Sequence, residues 1–277
     1  MTNFDISAET LGVGDELALA GTYRRTVHAS LERVWENVFD WEHLPSLHET
    51  SFSSIELIAR TTHGWRVRVG VQPRKHLQLL ELRADRPASR YCVRTLEGAG
   101  QGTQIWTLLN SEAAHQTAIE VRYYIPEHRP ERLAAVGAAY RRTYERLWDE
   151  DETMMQHREK MLESRSAAAL TGNRLSLGNL SELRLRLPLL TEFAGRPLRV
   201  IELAGELIAH STVCPHMLGP LDHASIDADG CVRCPWHSYR FDVRTGRSAE
   251  GRAMCLPVAP QVVVEPSGQV FLADRSS

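Results

Sequence analysis

The chain has 277 residues, 43% hydrophobic and 24% charged, with a formal net charge of −3. At roughly 100–200 residues per domain this length predicts two domains, and nothing in the near-neutral charge favours nucleic acid or an anionic membrane as partner. No apolar run approaches the ~20 residues of a membrane span, and residues 1–17 lack a signal-peptide core, so the expected compartment is the cytoplasm.

The first strand is predicted over 17–28 (LALAGTYRRTVH). A helix over 31–39 follows, with Ser30 as N-cap and Val34, Trp35 and Val38 at helical spacing. A proline-containing turn covers 40–50. Runs of strand character occupy 51–60, 64–71, 76–84, 90–96, 103–109 and 118–125, mostly separated by Gly, Pro and Asn. Pro130 starts a long helix to about residue 164, with Leu133, Val136, Ala139, Tyr140, Tyr144 and Leu147 as its apolar stripe. These elements make a first domain over 16–165. Residues 166–180 lie in a Ser/Ala/Gly/Asn-rich stretch and are expected to be a linker. Short strands over 198–203, 206–210, 231–233, 239–242, 261–265 and 270–272 then predict a small all-β domain over 181–275. The expected fold class is α+β: an antiparallel sheet curled around helix, then an all-β domain.

Chemistry concentrates first in the second domain. Cys214-Pro-His216 and Cys234-Pro-Trp-His237 are separated by seventeen residues. Each loop supplies one thiolate and one imidazole. A [2Fe–2S] cluster of Rieske type needs two thiolates on one iron and two imidazoles on the other. Neutral imidazole reduces the negative charge on the reducible iron. The alternative, a structural zinc site, usually pairs Cys with Cys and His with His at other spacings. Cys92, Cys231 and Cys255 read as buried strand residues.

The segments CPHMLGPL, DGCVRCPWHSYRFDVRTG and LPVAPQVVVEPSGQVFLAD resemble Rieske domains over about 181–275. Ser238 stands where oxygenase-type members usually have Gly, and Tyr239 where they usually have Trp. No second Cys follows in either loop, so the loop disulfide of respiratory Rieske proteins has no counterpart. The first domain, from YRRTVHASLERVWENVFDWEHLPSLH onward, resembles the helix-grip superfamily, which includes START-like carriers, polyketide cyclases and the catalytic domains of Rieske oxygenases.

Within that first domain, Asp40-x2-His43-x4-His48 is similar to the iron-binding segment of Rieske oxygenase catalytic domains. The resemblance implies that His43 and His48, with a later carboxylate, hold a mononuclear Fe(II), leaving positions for O2. It implies that Asp40 is the connector toward a cluster. Glu150-Asp151 in the long helix matches the family's Glu-Asp pattern and points to Asp151 as third ligand, with Asp149 next. Read without the family, the two histidines are solvated or core side chains of a turn, and the DEDE run is a solvated helix face.

The implied function is a Rieske non-haem iron oxygenase that hydroxylates or demethylates an apolar organic substrate. Its cluster would be reduced by a ferredoxin or an NAD(P)H-dependent reductase, since the chain has no Gly-x-Gly-x-x-Gly fingerprint of its own. A homotrimer is expected from the family's head-to-tail rings, although the two domains stand in reversed order. The alternative is a Rieske electron carrier or ligand sensor whose first domain binds an apolar ligand without metal.

Overall fold

The computed structural model describes residues 12–165 and 174–274. Contacts divide the chain into two compact units, with the boundary between Gln156 and His157.

The first unit begins with β1 (Ala18–Val27) and α1 (Leu31–Phe39). Ser30 caps α1, its side chain accepting from the Arg33 N–H. A 3-10 turn (Trp41–His43) and the short α2 (Leu44–Leu47) follow. Six strands then meander: β2 (Phe52–Thr61), β3 (Gly64–Val71), β4 (His76–Asp85), β5 (Arg90–Glu97), β6 (Gln104–Ala113) and β7 (Gln116–Ile125). All seven strands form one antiparallel sheet in the order β1-β7-β6-β5-β4-β3-β2. Only β1 leaves its sequence neighbour, pairing with β7 so that Tyr23 faces Val121. In β7, residues Thr117, Ile119, Val121, Tyr123 and Ile125 are buried at strict alternation, the period-2 signature of a sheet wet on one side.

The long helix α3 (Pro130–Arg165) covers the other side of that layer. Tyr140 stacks on Tyr123 at 5.3 Å, and Tyr144 lies 5.4 Å from the same ring. Trp148 and Met155 complete the shared core. Gly137 allows the closest approach: a Cβ there would lie 2.0 Å from the Ala20 carbonyl oxygen, beside the bulge of β1 between Leu19 and Gly21. A glycine costs a helix about 1 kcal/mol relative to alanine, and here backbone contact is what it permits. A long helix gripped by an antiparallel sheet is the helix-grip arrangement the sequence led us to expect.

Two details differ from expectation. The 40–50 segment is helical rather than an open turn, because Pro45 sits in the first turn of α2, where a missing N–H costs nothing. Ala139 is exposed; it sits about 100° of helix rotation from Tyr140 and so leaves the stripe. One buried ion cluster also belongs to this sheet. Glu81 on β4 is fully buried and accepts from Arg66 Nε at 3.1 Å and Arg83 Nε at 2.7 Å. Burial alone would raise its pKa, but the two guanidinium groups hold it below the usual carboxylate value.

The second unit contains β8 (Arg174–Asn179), α4 (Leu180–Arg184), β9 (Leu189–Phe193), β10 (Arg196–Leu203), β11 (Glu206–Ser211), β12 (Cys231–Arg233), β13 (Arg240–Asp242), β14 (Gln261–Val264) and β15 (Gln269–Ala273). They form sheets β11-β10-β9, β12-β13 and β14-β15-β8. Leu183, Phe193, Leu198, Val200, Val270 and Leu272 make the core. The linker drawn at 166–180 is corrected at its end: Arg174–Asn179 is a strand, paired antiparallel with β15, and α4 follows directly. Leu175 and Leu177 alternate inward and supply the apolar contact. The remainder of that stretch, 166–173, lies outside the described residues. Cys92 and Cys231 are buried as expected, but Cys255 is exposed. It lies in an irregular segment that meets Arg247 through an isolated bridge.

Candidate metal centres

In the first unit the 3-10 turn and α2 carry His43 and His48 into the protein. Both are buried, 3% and 1% exposed. Hydrogen bonds from the Ser51 and Phe52 N–H groups to the His48 carbonyl, each 2.8 Å, close the turn onto β2. α3 presents Asp151 from the opposite side. Its Oδ1 lies 3.4 Å from His43 Nε2 and 3.1 Å from His48 Nε2. One ligand atom from each of the three lies within 4.8 Å of the others, the spacing of a group able to hold a metal ion.

Neighbouring side chains fix these donors. Asn37 Nδ2, from the buried face of α1, donates to Asp151 Oδ1 at 2.9 Å. Glu150 Oε2 lies 2.5 Å from His48 Nδ1, so that Nδ1 carries the proton and Nε2 is left for the centre. Asp40 Oδ2 stands 3.5 Å from His43 Nδ1. Burial disfavours the His48 cation, yet Asp151 and then Glu150 reverse this and raise its pKa. Burial likewise works to raise Asp151, but His48 and His43 bring it below its usual value. Two imidazoles and one carboxylate are the donor set of a facial triad, and the residues fit one. Asp149 points elsewhere: it pairs with Arg25 at 2.7 Å, 69% exposed. Phe52, Trp65, Leu80, Leu82, Tyr91 and Val93 are among the walls of the cavity over the three donors, about 130 Å³.

Asn37 was not singled out from the sequence, and Glu150 entered only as half of the Glu-Asp pattern, without a role of its own. The available signal for Asn37 was an amide within the apolar face Val34, Trp35 and Val38. For Glu150 it was only adjacency to Asp151.

In the second unit, two loops face one another. The first follows β11 and is closed by the Cys214 N–H donating to the Gly219 carbonyl at 2.9 Å. The second joins β12 to β13 and is closed by Cys234 N–H to Tyr239 O at 2.8 Å and Ser238 N–H to Cys234 O at 2.9 Å. Leu218 and Ser238 take left-handed backbone, φ 63° and 56°. Ser238 thus occupies a conformation that favours glycine. Gly219 lets the loops meet, since a Cβ there would be 3.0 Å from both Cys234 Sγ and the Trp236 ring.

The four donors converge between the loops. The His216 and His237 rings lie 4.4 Å apart. The Cys214 and Cys234 side chains hydrogen-bond to one another; that contact and burial drive the Cys214 pKa up, while for Cys234 the same contact outweighs burial and brings the pKa down. Both sulfurs become thiolates together only beside a cation. Two thiolates and two imidazoles fit a Rieske [2Fe–2S] cluster. Tyr239 packs against both imidazoles, 4.8 Å from His216 and 5.5 Å from His237. His157, which the sequence did not single out, donates from Nε2 to the Leu218 carbonyl at 3.1 Å and sets its edge 5.4 Å from Trp236.

Comparison with known proteins agrees with this second site. The Rieske [2Fe-2S] domain family matches residues 173–260. The ferredoxin component of the naphthalene 1,2-dioxygenase system of Pseudomonas aeruginosa is 32% identical over 85 residues, covering 30% of this chain and 76% of that protein. Chloroplastic pheophorbide a oxygenase of Oryza sativa subsp. japonica is 44% identical over 39 residues, which span 14% of this chain and 7% of the oxygenase. For the first unit, the aromatase/cyclase Zhui of Streptomyces sp. R1128 overlaps 51% of this chain and 95% of its own at 14% identity and a TM-score of 0.43. No helix among the described residues is long and apolar enough to cross a membrane. Through its C-terminal domain, an electron-transfer module, this chain belongs to the Rieske [2Fe–2S] family.

Proposed function

We propose that the chain is a Rieske non-haem iron oxygenase component acting on an apolar organic substrate by hydroxylation or demethylation. In this reading Cys214, His216, Cys234 and His237 hold the [2Fe–2S] cluster, and His43, His48 and Asp151 hold a mononuclear Fe(II). When bound, the cluster supplies single electrons and the ferrous ion supplies a site for O2. The observation that carries the reading is the convergence of two buried imidazoles and one buried carboxylate within 4.8 Å, at the floor of an apolar cavity. The chain's own residues prepare that floor. Glu150 holds the Nδ1 proton of His48, Asn37 fixes one oxygen of Asp151, and the aromatic and aliphatic walls exclude water. Asp40, beside His43 Nδ1, is the proposed connector toward a cluster and acts as a positioning residue. The electron donor is a ferredoxin or an NAD(P)H-dependent reductase, and the proposed assembly is a homotrimer.

A second reading makes the chain an electron carrier or sensor whose first unit binds an apolar ligand without metal. The ferredoxin component among its relatives favours it. Iron analysis of anaerobically purified protein separates the two: about three irons per chain for the oxygenase, about two for the carrier. A value near two in protein with a full cluster signal overturns the first reading.

A further inference from the structure

The cavity over His43, His48 and Asp151 has a neighbour. A second pocket of about 260 Å³ lies against it, with Phe52, Leu80, Val93, Tyr144 and Leu147 as shared walls. The two pockets have opposite polarity. The first is lined by the carboxylates Asp40 and Asp151. The second is lined by no acidic residue, and its one charged side chain is Arg146. Arg146 is exposed at the rim. Its Nη2 donates to the buried Ser51 Oγ at 2.9 Å, and it has no carboxylate partner among the described residues. Ser51 in turn donates its N–H to the His48 carbonyl at 2.8 Å. One serine therefore ties the guanidinium to the turn that carries the histidines.

A guanidinium oriented by one neutral hydrogen bond, beside a pocket with no acidic wall, suits an anion whose hydrophobic body meets Phe52, Leu80, Val93 and Leu147. Carboxylate suits it, because a planar fork of N–H donors meets two oxygens at once. Arg146 and Asp151 stand five positions apart on α3, roughly 7.5 Å along the helix axis. We propose that the first unit selects an aryl- or alkyl-substituted carboxylic acid, its carboxylate on Arg146 and its apolar end directed to His43, His48 and Asp151. The reverse orientation sets carboxylate against Asp40 and Asp151. Only the metal end of this assignment rests on the oxygenase reading; the carboxylate end does not.

The test compares 4-phenylbutyrate with its neutral primary amide, which has nearly the same shape. Binding to the full chain is followed by calorimetry, with and without added Fe(II) under anaerobic conditions. The acid is expected to bind about ten-fold tighter than the amide. Arg146→Gln should abolish that preference, and Arg146→Lys should retain part of it. Arg146 lies at the surface, so these variants change its hydrogen bond to Ser51 but open no cavity in the core. Equal binding of acid and amide by the wild type, failure of both to bind at millimolar concentration, or a preference that survives Arg146→Gln overturns the proposal. A preference that appears only with Fe(II) and survives Arg146→Gln means carboxylate on the metal: this proposal fails and the iron reading stands. An Arg146-dependent preference in protein that takes up no third iron has the opposite meaning.

Discussion

The two candidate centres use the same side chain, histidine, and are built in contrasting ways. The cluster site comes from two loops within 214–237, each closed by its own backbone hydrogen bonds. The triad comes from a turn at 43–48 and a helix residue more than 100 positions later, Asp151. The first is a local construction that short β-strands hold in place. The second exists only when the whole sheet and α3 have assembled. A site of the first kind tolerates a weak surrounding core, whereas one of the second kind inherits every disturbance of its domain.

That contrast can be broken at its strongest point. His237→Cys should remove the Rieske electron-resonance signal completely, because the asymmetric ligand set is lost, and leave metal uptake by the first unit intact. His48→Ala should do the reverse: full cluster signal, about one iron fewer per chain. Loss of both centres in either variant would show that the sites depend on one another.

Glu150→Gln tests the support around the triad. Replacing the carboxylate that orients His48 should weaken mononuclear metal binding by about 10- to 100-fold, read by competition with a chelator, with the cluster unchanged. Glu81→Leu tests the sheet on which the triad depends. Removing one member of a buried charged cluster should cost about 3–5 kcal/mol, seen in urea denaturation of the first unit. The sign of the pH effect follows from its depressed pKa. The Glu81 contribution is fully present above about 4.5, the value in the unfolded chain, and is lost as pH falls through the lower folded value. The wild-type first unit should therefore lose stability below that pH more steeply than the Glu81→Leu variant. The smallest effect belongs to the local site. Ser238→Gly relieves left-handed backbone and should stabilise the cluster loop by about 0.5–1 kcal/mol, detected as later thermal loss of the cluster's visible circular dichroism.

The same contrast explains what the sequence disclosed. Cys214, His216, Cys234 and His237 stand out because ligand type and spacing are local properties. Helix α1 and strand β3 fall on their expected residues, 31–39 and 64–71, because capping and alternation are local too. β8 and β9 escaped notice: RLSLGN offers only two alternating leucines, and LLTEF follows an Arg–Leu run of ambiguous period. The order of Asp151 before Asp149 came only from the family's Glu-Asp pattern, and nothing physical in the DEDE run makes the choice. It turns on helix rotation, which sends Asp149 to Arg25 and Asp151 to the histidines. Asn37 and Arg146 were invisible for a related reason. Each matters through a partner from a distant segment, Asp151 for one and Ser51 for the other.

Gly137 gives the long helix a fulcrum. With no side chain between α3 and the Ala20 carbonyl, helix backbone rests directly on strand backbone. Asp151 lies fourteen residues farther on, a lever arm of about 21 Å. A single methyl inserted at the fulcrum has to lift one end of that arm, while His43 and His48 stay anchored to a different segment. The carboxylate would then swing off target by a distance comparable to the lift, and a misplacement near 1 Å is enough to cost a catalytic centre on the order of a hundred-fold. The aim of the acidic donor is thus set at the far end of the helix, by the residue with the least to show.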